Sequence, residues 1–282
     1  MKKVLVSIVN YNSRKHIEEL VLGLKNIDLS LVDICIVDNK SPSEDLENMI
    51  DFSKKNNIYF FQADKNWWFA YGNNEVVKYM TNKWNEYEYI FLINPDILIT
   101  SKTFFEDIYN KMQQNNIDIW WPMICEYSNK NKIHFAWWFL KWPILFPTKL
   151  WRWEIDKWQY KDIECDYVNG SAMIIKYDLR ENFWWMDESY FLYFEETDFC
   201  RKAKLLQKKI ICFGDIKIYD KISWSVGRMS KLYINQMINN YKKFALKYIK
   251  WVNIYIWRIF YIFCRYPLFK LMYIKNKIKT LK

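Results

Sequence analysis

Two acidic segments hold the residue types best suited to chemistry in this chain. Asn94-Pro95-Asp96 directly follows the apolar run Tyr89 to Ile93. A carboxylate in such a position can hold a hard divalent cation against a diphosphate. The second segment, residues 191–198, reads FLYFEETD and places three carboxylates within four residues behind an aromatic run. Carboxylates in that setting are costly unless they are solvated, paired or functional, and one of them can serve as a general base.

A third segment, residues 66–74, reads NWWFAYGNN and is rich in amides. It follows an apolar run and opens a helical pattern, which favours contacts to an anion or a ribose through amides and backbone N–H groups. Each of the three segments, taken by itself, also fits an ordinary structure. Asn94-Pro95-Asp96 fits a turn, and the other two segments fit polar helix starts.

Alternating strands and helices must position these segments. The predicted strands are residues 4–9, 34–37, 58–61 and 89–93, and the predicted helices are residues 13–24, 43–50, 70–81 and 103–114. Such alternation predicts an α/β fold with a mostly parallel, Rossmann-like sheet flanked by helices, whose ligands bind at the carboxyl ends of the strands. Residues 120–165 are less regular and predict loops and short strands. A helix over 195–206 and a strand over 210–219 follow.

Charge is distributed unevenly along the 282 residues. The net charge is +10, yet from Arg228 onward the chain carries 13 Lys or Arg residues and no acidic ones. We therefore divide the chain into a body, residues 1–227, and a basic, aromatic, helical tail, residues 228–282. A cationic tail indicates an anionic partner; we favour a membrane surface over nucleic acid.

Cysteine spacing and hydropathy narrow the class of protein. The six cysteines form no CxxC pair, and only His16 and His134 accompany them, so no zinc-site spacing is present. We expect reduced, mostly buried thiols, as in a cytosolic protein. The apolar start, residues 4–9, is too short for a signal peptide and predicts a first strand. No stretch approaches the ~20 uncharged apolar residues of a membrane-spanning helix.

Taken together, the segments resemble the family 2 glycosyltransferases of the GT-A fold, in particular the rhamnosyltransferase-like branch. Six motifs occur in the order that this family has them: residues 6–12, 37–41, 66–74, 94–96, 169–173 and 186–200. The third is similar to N-x-G-F-A-x-G-N-N, and the last to F-D-E-x-F-F-x-Y-x-E-D-x-D-L-C. The resemblance covers residues 4 to about 227 and implies a GT-A catalytic domain with a C-terminal helical extension.

The resemblance implies an inverting transfer of a hexosyl or rhamnosyl group from a nucleotide-diphosphate sugar to a hydroxyl of a glycan or a lipid-linked acceptor, in surface polysaccharide assembly. Asp96 and Asp220 are the implied ligands of Mg²⁺ or Mn²⁺, and Glu196 is the implied general base. Asp187 and Glu188 would position acceptor or sugar hydroxyls. Asp198 is a further catalytic candidate, and Glu195 is an alternative candidate for the general base. The implied donor-binding residues are Asn10, Tyr11, Asn12, Asp38, Asn39, Asn66, Phe69, Asn73, Asn74 and Asn94.

Two carboxylates depart from the family pattern. Asp220 stands where the family usually carries a histidine near the metal, although aspartate can also bind a hard cation. Glu196 stands where aspartate is more frequent, and its side chain is one methylene longer.

Tryptophan also departs from the pattern, because it stands where the family has glycine. The affected positions are 68, 151, 153, 158, 184 and 185. The chain has 5 Gly and 16 Trp, which together make about 7% of the residues, an ordinary share for glycine alone. Some bacterial lineages read UGA as glycine where other codes read tryptophan. We therefore hypothesise that many of these residues are glycine in the cell, and the adjacent pairs at 120–121, 137–138 and 184–185 are predicted to lie in turns.

A non-enzymatic protein is the alternative function. Trp-rich loops and a basic tail could bind carbohydrate or nucleic acid by stacking. Metal-dependent release of a nucleoside diphosphate separates this alternative from the transferase. For the transferase we expect a cytoplasmic location, peripheral at the inner face of the cell membrane, with the anionic surface as the tail's partner.

Overall fold

The first half of the chain forms a regular alternation of strands and helices. The computed structural model describes residues 2–66, 68–83, 86–135, 137–141, 145–150, 154–179, 185–221, 231–249, 251–262 and 267. In order, the elements are β1 Val4–Asn10, α1 Arg14–Leu24, β2 Val32–Asp38, α2 Ser43–Lys55, β3 Tyr59–Gln62, α3 Trp68–Thr81 and β4 Tyr89–Ile93. All the strands and helices predicted in this half are present; the largest shift is at the end of α2, which extends five residues beyond the predicted residue 50.

The second half contains the remaining strands and the C-terminal helices. In order, they are β5 Ile97–Leu98, α4 Phe104–Asn115, β6 Ile119–Glu126, β7 Ile133–Phe135, β8 Trp137–Lys141, β9 Phe146–Leu150, β10 Ile163–Glu164, β11 Ala172–Lys176, α5 Glu195–Leu205, β12 Ile210–Asp220, α6 Lys231–Tyr248 and α7 Trp251–Phe260. Within the described residues, no helix is both long enough and apolar enough to cross a membrane.

One mixed sheet organises the molecule, in the strand order β10-β12-β6-β11-β4-β1-β2-β3. The neighbours among β1 to β4 run parallel, as does β12 beside β6. Strand β11 lies between β4 and β6 and is antiparallel to both. The predicted mostly parallel α/β sheet is therefore confirmed, with β11 as the reversed strand at its centre.

The register of the parallel strands brings their polar ends together. Asn10 at the end of β1 lies opposite Asp38 at the end of β2, and Ile8 lies opposite Ile93, which precedes Asn94. The reversed strand adds a turn to the same edge, because the Asn94 N–H donates to the Ser171 carbonyl over 2.9 Å. Residues that are far apart in sequence thus meet at the carboxyl edge of the sheet.

Strand β6 corrects two expectations for residues 120–165. Trp120 and Trp121 are fully buried in this central strand, rather than placed in a turn. Pro122 is tolerated there because the ladder with β11 ends at Trp120 and the register with β12 shifts after Phe213, opposite this proline. The pair at 137–138 likewise lies in a strand, β8. Aromatic residues suit strands, so turn placement was wrong for these four tryptophans.

The structure also bears on the predicted buried cysteines and on the predicted C-terminal tail. Five cysteines, Cys35, Cys125, Cys165, Cys200 and Cys212, are free and buried, as expected. Helix α6 shares the main core, where Tyr241, Phe244 and Ala245 are buried. Residues 228–230, 250, 263–266 and 268–282 of the predicted tail lie outside the described residues, as do Trp151, Trp153 and Trp184.

Trp158 has the backbone conformation of a glycine position. Its φ is 62°, in the left-handed region that a bulky residue seldom adopts. The indole is 71% exposed, and the Lys217 Nζ lies 3.2 Å from its ring centroid. This is one of the positions where the family pattern has glycine, so the backbone here supports the hypothesis of a misread codon.

We expect Trp158→Gly to be more stable than Trp158→Ala by about 1 kcal/mol, because a Cβ is unfavourable at this φ. Both variants lose the indole and its contact with Lys217, so alanine is the matched control. Urea unfolding of the two variants gives the difference. Equal stabilities, or a more stable alanine variant, would mean that the backbone is not left-handed at this residue.

Candidate active site

A buried hydrogen-bond network closes the ends of β1 and β2. The Asn10 Nδ2 donates to Asp38 Oδ1 over 2.8 Å. The other carboxylate oxygen, Oδ2, accepts from the Ser41 N–H and from Gln62 Nε2, each over 3.0 Å. Asn10 and Asp38 are both fully buried. The network braces three neighbouring strands at the edge where a ligand would bind.

Exposure separates the residues of this edge into two groups. Asp38 and Asn39 are buried beneath the loop that follows β1. Tyr11 and Asn12 are exposed on that loop, and Asn12 has a positive φ of 56°. Ser41 holds the loop, since its Oγ accepts from the Asn12 N–H over 2.9 Å. The loop therefore presents Tyr11 and Asn12 to solvent, and a direct contact of Asp38 with a base stays a prediction.

Two successive asparagines connect α3 to different parts of the protein. The Asn73 side chain is buried; its Oδ1 accepts from Ser7 Oγ over 2.7 Å, and its Nδ2 donates to the Phe69 carbonyl over 2.9 Å. The next residue, Asn74, donates to Glu188 Oε1 over 2.9 Å and to the Met186 carbonyl over 3.0 Å. Thus Asn73 anchors the helix on β1, while Asn74 holds the acidic segment at 187–188.

Gly170 lies where three of the sequence motifs meet. A Cβ placed on it would stand 3.0 Å from the Phe69 ring and 3.7 Å from the Cβ of Glu196. The next residue, Ser171, accepts the backbone bond from Asn94. The turn at 169–171 therefore joins the start of α3, the end of β4 and the start of α5. Asn66 is half-buried and lies two residues before the start of α3.

The two aspartates expected to bind metal lie on neighbouring strand ends. Asp220 pairs with Ile97 in the ladder between β12 and β5, and the Lys221 N–H donates to the Asp96 carbonyl over 3.0 Å. Asp96 is half-buried and Asp220 is buried. The Nδ1 of the buried His134 lies 3.0 Å from Asp220 Oδ2. His134 thus enters this site from β7, beside the aspartate that replaces the family's histidine.

The donor chemistry at this position fits a hard divalent cation. Mg²⁺ is usually held by one or two carboxylates, with substrate phosphates and waters in the remaining positions. Asp96 and Asp220 lie at adjacent backbone positions, and their carboxylates are of the type that this coordination uses. Among the described residues, no cluster of three or more His, Cys, Asp or Glu side chains is arranged to hold a metal without such help.

The two glutamates at the start of α5 have different surroundings. Glu195 is buried, and burial, together with the nearby charge of Glu196, raises its pKa well above the usual value. Glu196 is half-buried. The residues before them, Tyr193 and Phe194, have φ values of 70° and 77°. Because Glu195 is buried and Glu196 is only half-buried, Glu196 is the carboxylate of this pair that a ligand can reach.

Asp198 lies in a setting unlike that of an accessible base. Its side chain is fully buried, and its two oxygens form ion pairs with Lys202 Nζ at 2.9 Å and Lys247 Nζ at 2.8 Å. The Tyr248 hydroxyl also donates to Asp198 Oδ1 over 2.9 Å. These contacts indicate a role in holding neighbouring elements, and the catalytic role of Asp198 stays a prediction.

Asp187 is tied to the same lysine. Its Oδ1 accepts from the Ser189 N–H over 3.0 Å, and its Oδ2 lies 3.1 Å from Lys247 Nζ. Burial alone would raise the pKa of Asp187, but the hydrogen bonds from Ser189 and Lys247 lower it to about 2. The carboxylate is therefore ionised throughout the physiological range.

Two side chains of the site were absent from the sequence-based set. His134 is isolated in the sequence and belongs to no metal-binding spacing, so its pairing with Asp220 becomes visible only in the fold. Lys247 lies in the basic tail, where its charge resembles that of its many neighbours. The distribution of charge along the sequence does not distinguish Lys247 from the other basic residues of the tail.

The match to a known family agrees with this geometry. Residues 5–214 match the model described as "Glycosyl transferase family 2". The chain belongs to this family of glycosyltransferases, so the resemblance drawn from the six motifs is confirmed.

A curated relative is the low-salt glycan biosynthesis hexosyltransferase Agl10 of Haloferax volcanii. It is 25% identical over 223 residues, which cover 77% of this chain and 66% of Agl10. The present chain thus spans just under two thirds of the length of that relative.

Solved structures share the fold at low identity. One is GalNAc-T7 with UDP, GalNAc and Mn²⁺, with a TM-score of 0.66, 12% identity, and coverage of 87% of this chain and 48% of that one. Another is the mannosyltransferase PcManGT from Pyrobaculum calidifontis with GDP-Man and Mn²⁺, with a TM-score of 0.61, 10% identity, and coverage of 88% of this chain and 65% of that one. A third is S. aureus TarS 1-349 with UDP-GlcNAc, with a TM-score of 0.58, 17% identity, and coverage of 84% of this chain and 65% of that one. The GT-A fold is confirmed.

We expect Asp187→Asn to remove part of the acid sensitivity of folding. Because the folded pKa of about 2 lies below the ordinary aspartate value, Asp187 stabilises the fold above pH ~4, and this contribution is lost as the pH falls towards 2. Between pH 5 and 2 the wild type should lose on the order of 2 kcal/mol more than the variant. Urea titrations at a series of pH values measure the difference.

Asp51→Asn, which alters an exposed carboxylate on α2, is the matched charge control. If Asp187→Asn loses stability with falling pH as steeply as the wild type does, the bonds from Ser189 and Lys247 do not stabilise the ionised carboxylate.

Proposed function

We propose that this protein transfers a hexosyl or rhamnosyl group from a nucleotide-diphosphate sugar to a hydroxyl of a glycan or lipid-linked acceptor, with inversion at the anomeric carbon. The supporting observation is the turn at 169–171, which contacts the end of β4 before Asp96 and also Glu196. The segments that carry the proposed cation ligand Asp96 and the proposed base Glu196 thus both meet this turn, which supports the proposal. Agl10, named for glycan biosynthesis, supports a role in surface polysaccharide assembly.

The donor nucleotide is expected along the ends of β1 and β2. Tyr11 and Asn12 are exposed there, above the braced Asn10 and Asp38. Asn39, Asn66, Phe69, Asn73, Asn74 and Asn94 complete the proposed donor-binding set. The GDP-Man and UDP-GlcNAc complexes of proteins with the same fold support a nucleotide sugar as the ligand.

Asp96 and Asp220 would hold Mg²⁺ or Mn²⁺ against the diphosphate. When bound, the ion offsets the negative charge that develops on the leaving nucleoside diphosphate. His134, paired with Asp220, would keep that carboxylate oriented, as groups behind a metal ligand commonly do. The Mn²⁺ in two complexes of the same fold supports a divalent cation.

Glu196 would act as the general base. It takes the proton from the acceptor hydroxyl while the hydroxyl oxygen attacks the anomeric carbon, and the bond from that carbon to the diphosphate oxygen breaks on the opposite face. Burial and the charge of Glu196 raise the pKa of Glu195, which favours the neutral form of Glu195 beside the proposed base. Asp187 and Glu188 would position acceptor or sugar hydroxyls, and Asn74 holds Glu188 in place.

The C-terminal helices would bind the protein to an anionic membrane at the cytoplasmic face. Tyr255, Ile259 and Ile262 are 57–63% exposed, and their spacing places them on one face of α7 and the turn after it. Trp257 is buried against the ring of Tyr241, 6.1 Å away, so the opposite face is covered. Exposed apolar side chains in a segment with no acidic residues suit a headgroup surface.

We expect Asp96→Ala and Glu196→Gln each to lower turnover at least ~10²-fold, through lost charge stabilisation and lost base catalysis. Only Asp96→Ala should weaken metal-dependent nucleotide binding, because Glu196 acts on the acceptor. Steady-state kinetics and calorimetric titration with nucleotide and Mn²⁺ separate the two effects. Near-normal turnover of Glu196→Gln would refute the assignment of the base.

For the membrane surface, we expect the triple change of Tyr255, Ile259 and Ile262 to serine to weaken vesicle binding at least ~10-fold. The vesicles are mixed phosphatidylcholine and phosphatidylglycerol, and added salt should also weaken binding because it screens the basic residues. Leu205 and Leu206, exposed on and just after α5, provide the matched serine control. Unchanged sedimentation of the triple variant with vesicles would exclude this face as the contact.

A further inference from the structure

Helix α6 contacts the loop of residues 187–194, which leads into Glu195 and Glu196. Near its middle, Asn240 Nδ2 donates to the Leu192 carbonyl over 2.8 Å and to the Tyr193 carbonyl over 3.0 Å. One turn further along, Lys243 Nζ hydrogen-bonds Ser189 Oγ and lies 4.3 Å from the centroid of the Tyr190 ring. The helix therefore contacts both halves of the loop.

Apolar packing secures the end of this loop. The Phe194 ring is buried between two rings of α6, with centroid distances of 5.9 Å to Tyr241 and 5.6 Å to Phe244. Phe194 and its neighbour Tyr193 both have left-handed φ values, which persist only where the surroundings enforce them. The bonds from Asn240 and the rings of α6 are the surroundings that enforce them.

Lys247 links the two ends of the segment that carries Glu196. Its Nζ lies 3.1 Å from Asp187 Oδ2, before the base, and 2.8 Å from Asp198 Oδ1, after it. Burial would lower the pKa of Lys247, but the bonds and charges of Asp198 and Asp187 raise it, so the ammonium stays charged. Tyr248 adds its hydroxyl bond to Asp198.

The contacts of Lys247 and Tyr248 with Asp198 connect two helices, whereas the other ion pair of Asp198 lies within one helix. Lys202 lies on α5, the same helix as Asp198, so that pair does not restrain the position of α5. Lys247 and Tyr248 come from α6, beyond residue 214, where the family match ends. Both residues therefore belong to the C-terminal segment, outside the residues that the family model matches.

We propose that α6 clamps the 187–194 loop and that Lys247 is a positioning residue for Glu196. The inference rests on the proposed function, because it assigns to Lys247 the orientation of the proposed base. It also revises the domain boundary at 227, since removal of residues 228–282 would remove the clamp. Helix α6 is then part of the catalytic unit, and the membrane contact belongs to α7 and the residues after it.

The test combines Lys247→Met with a conservative variant, Lys247→Arg, and a matched control, Lys242→Met, at an exposed lysine of the same helix. Tyr248→Phe provides a second change at the clamp. Amide hydrogen exchange of the peptides covering 187–196 is measured on the full-length protein, together with kcat and KM for the nucleotide sugar.

We expect Lys247→Met to speed exchange in the 187–194 loop about 10-fold and to lower kcat about 10-fold or more, with KM for the donor nearly unchanged, because a displaced base slows the chemical step. Lys247→Arg should restore much of both, and Lys242→Met should change neither. If exchange and kcat in Lys247→Met and Tyr248→Phe equal those of the wild type, the clamp is refuted.

The two proposals can fail separately. If the loop loosens in Lys247→Met but the wild type turns over no nucleotide sugar, the clamp stands and the proposed function falls. If the loop loosens and kcat of an active enzyme is unaffected, the positioning role of Lys247 is refuted.

Discussion

The bond between Asn10 and Asp38 is the constraint on which the carboxyl edge of the sheet depends. Both side chains are fully buried, and a buried carboxylate without partners would be costly. Asn10, Ser41 and Gln62 satisfy that carboxylate, and in doing so they fix the ends of β1, β2 and β3 relative to each other. The exposed loop after β1 and the start of α3 are built on this braced edge.

The reversed strand β11 extends this edge towards the acidic segments. Because it runs antiparallel to β4, its leading turn arrives at the end where β4 finishes. Gly170 leaves space there for Phe69 and Glu196, and any larger residue would press on the Phe69 ring. Helix α6 supports the acidic segments from outside the sheet through Lys247 and Asn240. The site thus combines a rigid sheet edge with a loop held by ion pairs.

Local patterns predicted much of this architecture. The strands β1 to β4 are mostly apolar runs that end in polar residues or are followed directly by one, so both their positions and the edge they form followed from the sequence. Strand β6 did not, because Pro122 follows Trp120 and Trp121, and proline is uncommon inside a central strand. Its strand conformation depends on the end of the β11 ladder and the irregular register of β12, which are tertiary features.

The candidate site was predictable to a similar extent. The motifs around Asn74, Asp96 and Glu196 could be identified because chemistry requires these residue types at short spacings. The partners that orient them could not, since Tyr248 lies 50 residues after Asp198 and His134 lies 86 residues before Asp220. No local periodicity encodes such pairs. The sequence therefore indicated candidate reactive groups, but it did not indicate the groups that hold them in place.

The most direct test of glycosyl transfer is a screen of nucleotide sugars for release of nucleoside diphosphate, with Mg²⁺, with Mn²⁺ and with chelator. The account predicts release from at least one sugar nucleotide, dependent on the divalent ion and increased by a hydroxyl acceptor. Binding of carbohydrate or nucleic acid without any metal-dependent release from a broad set of donors would contradict it and would favour a non-enzymatic binding protein.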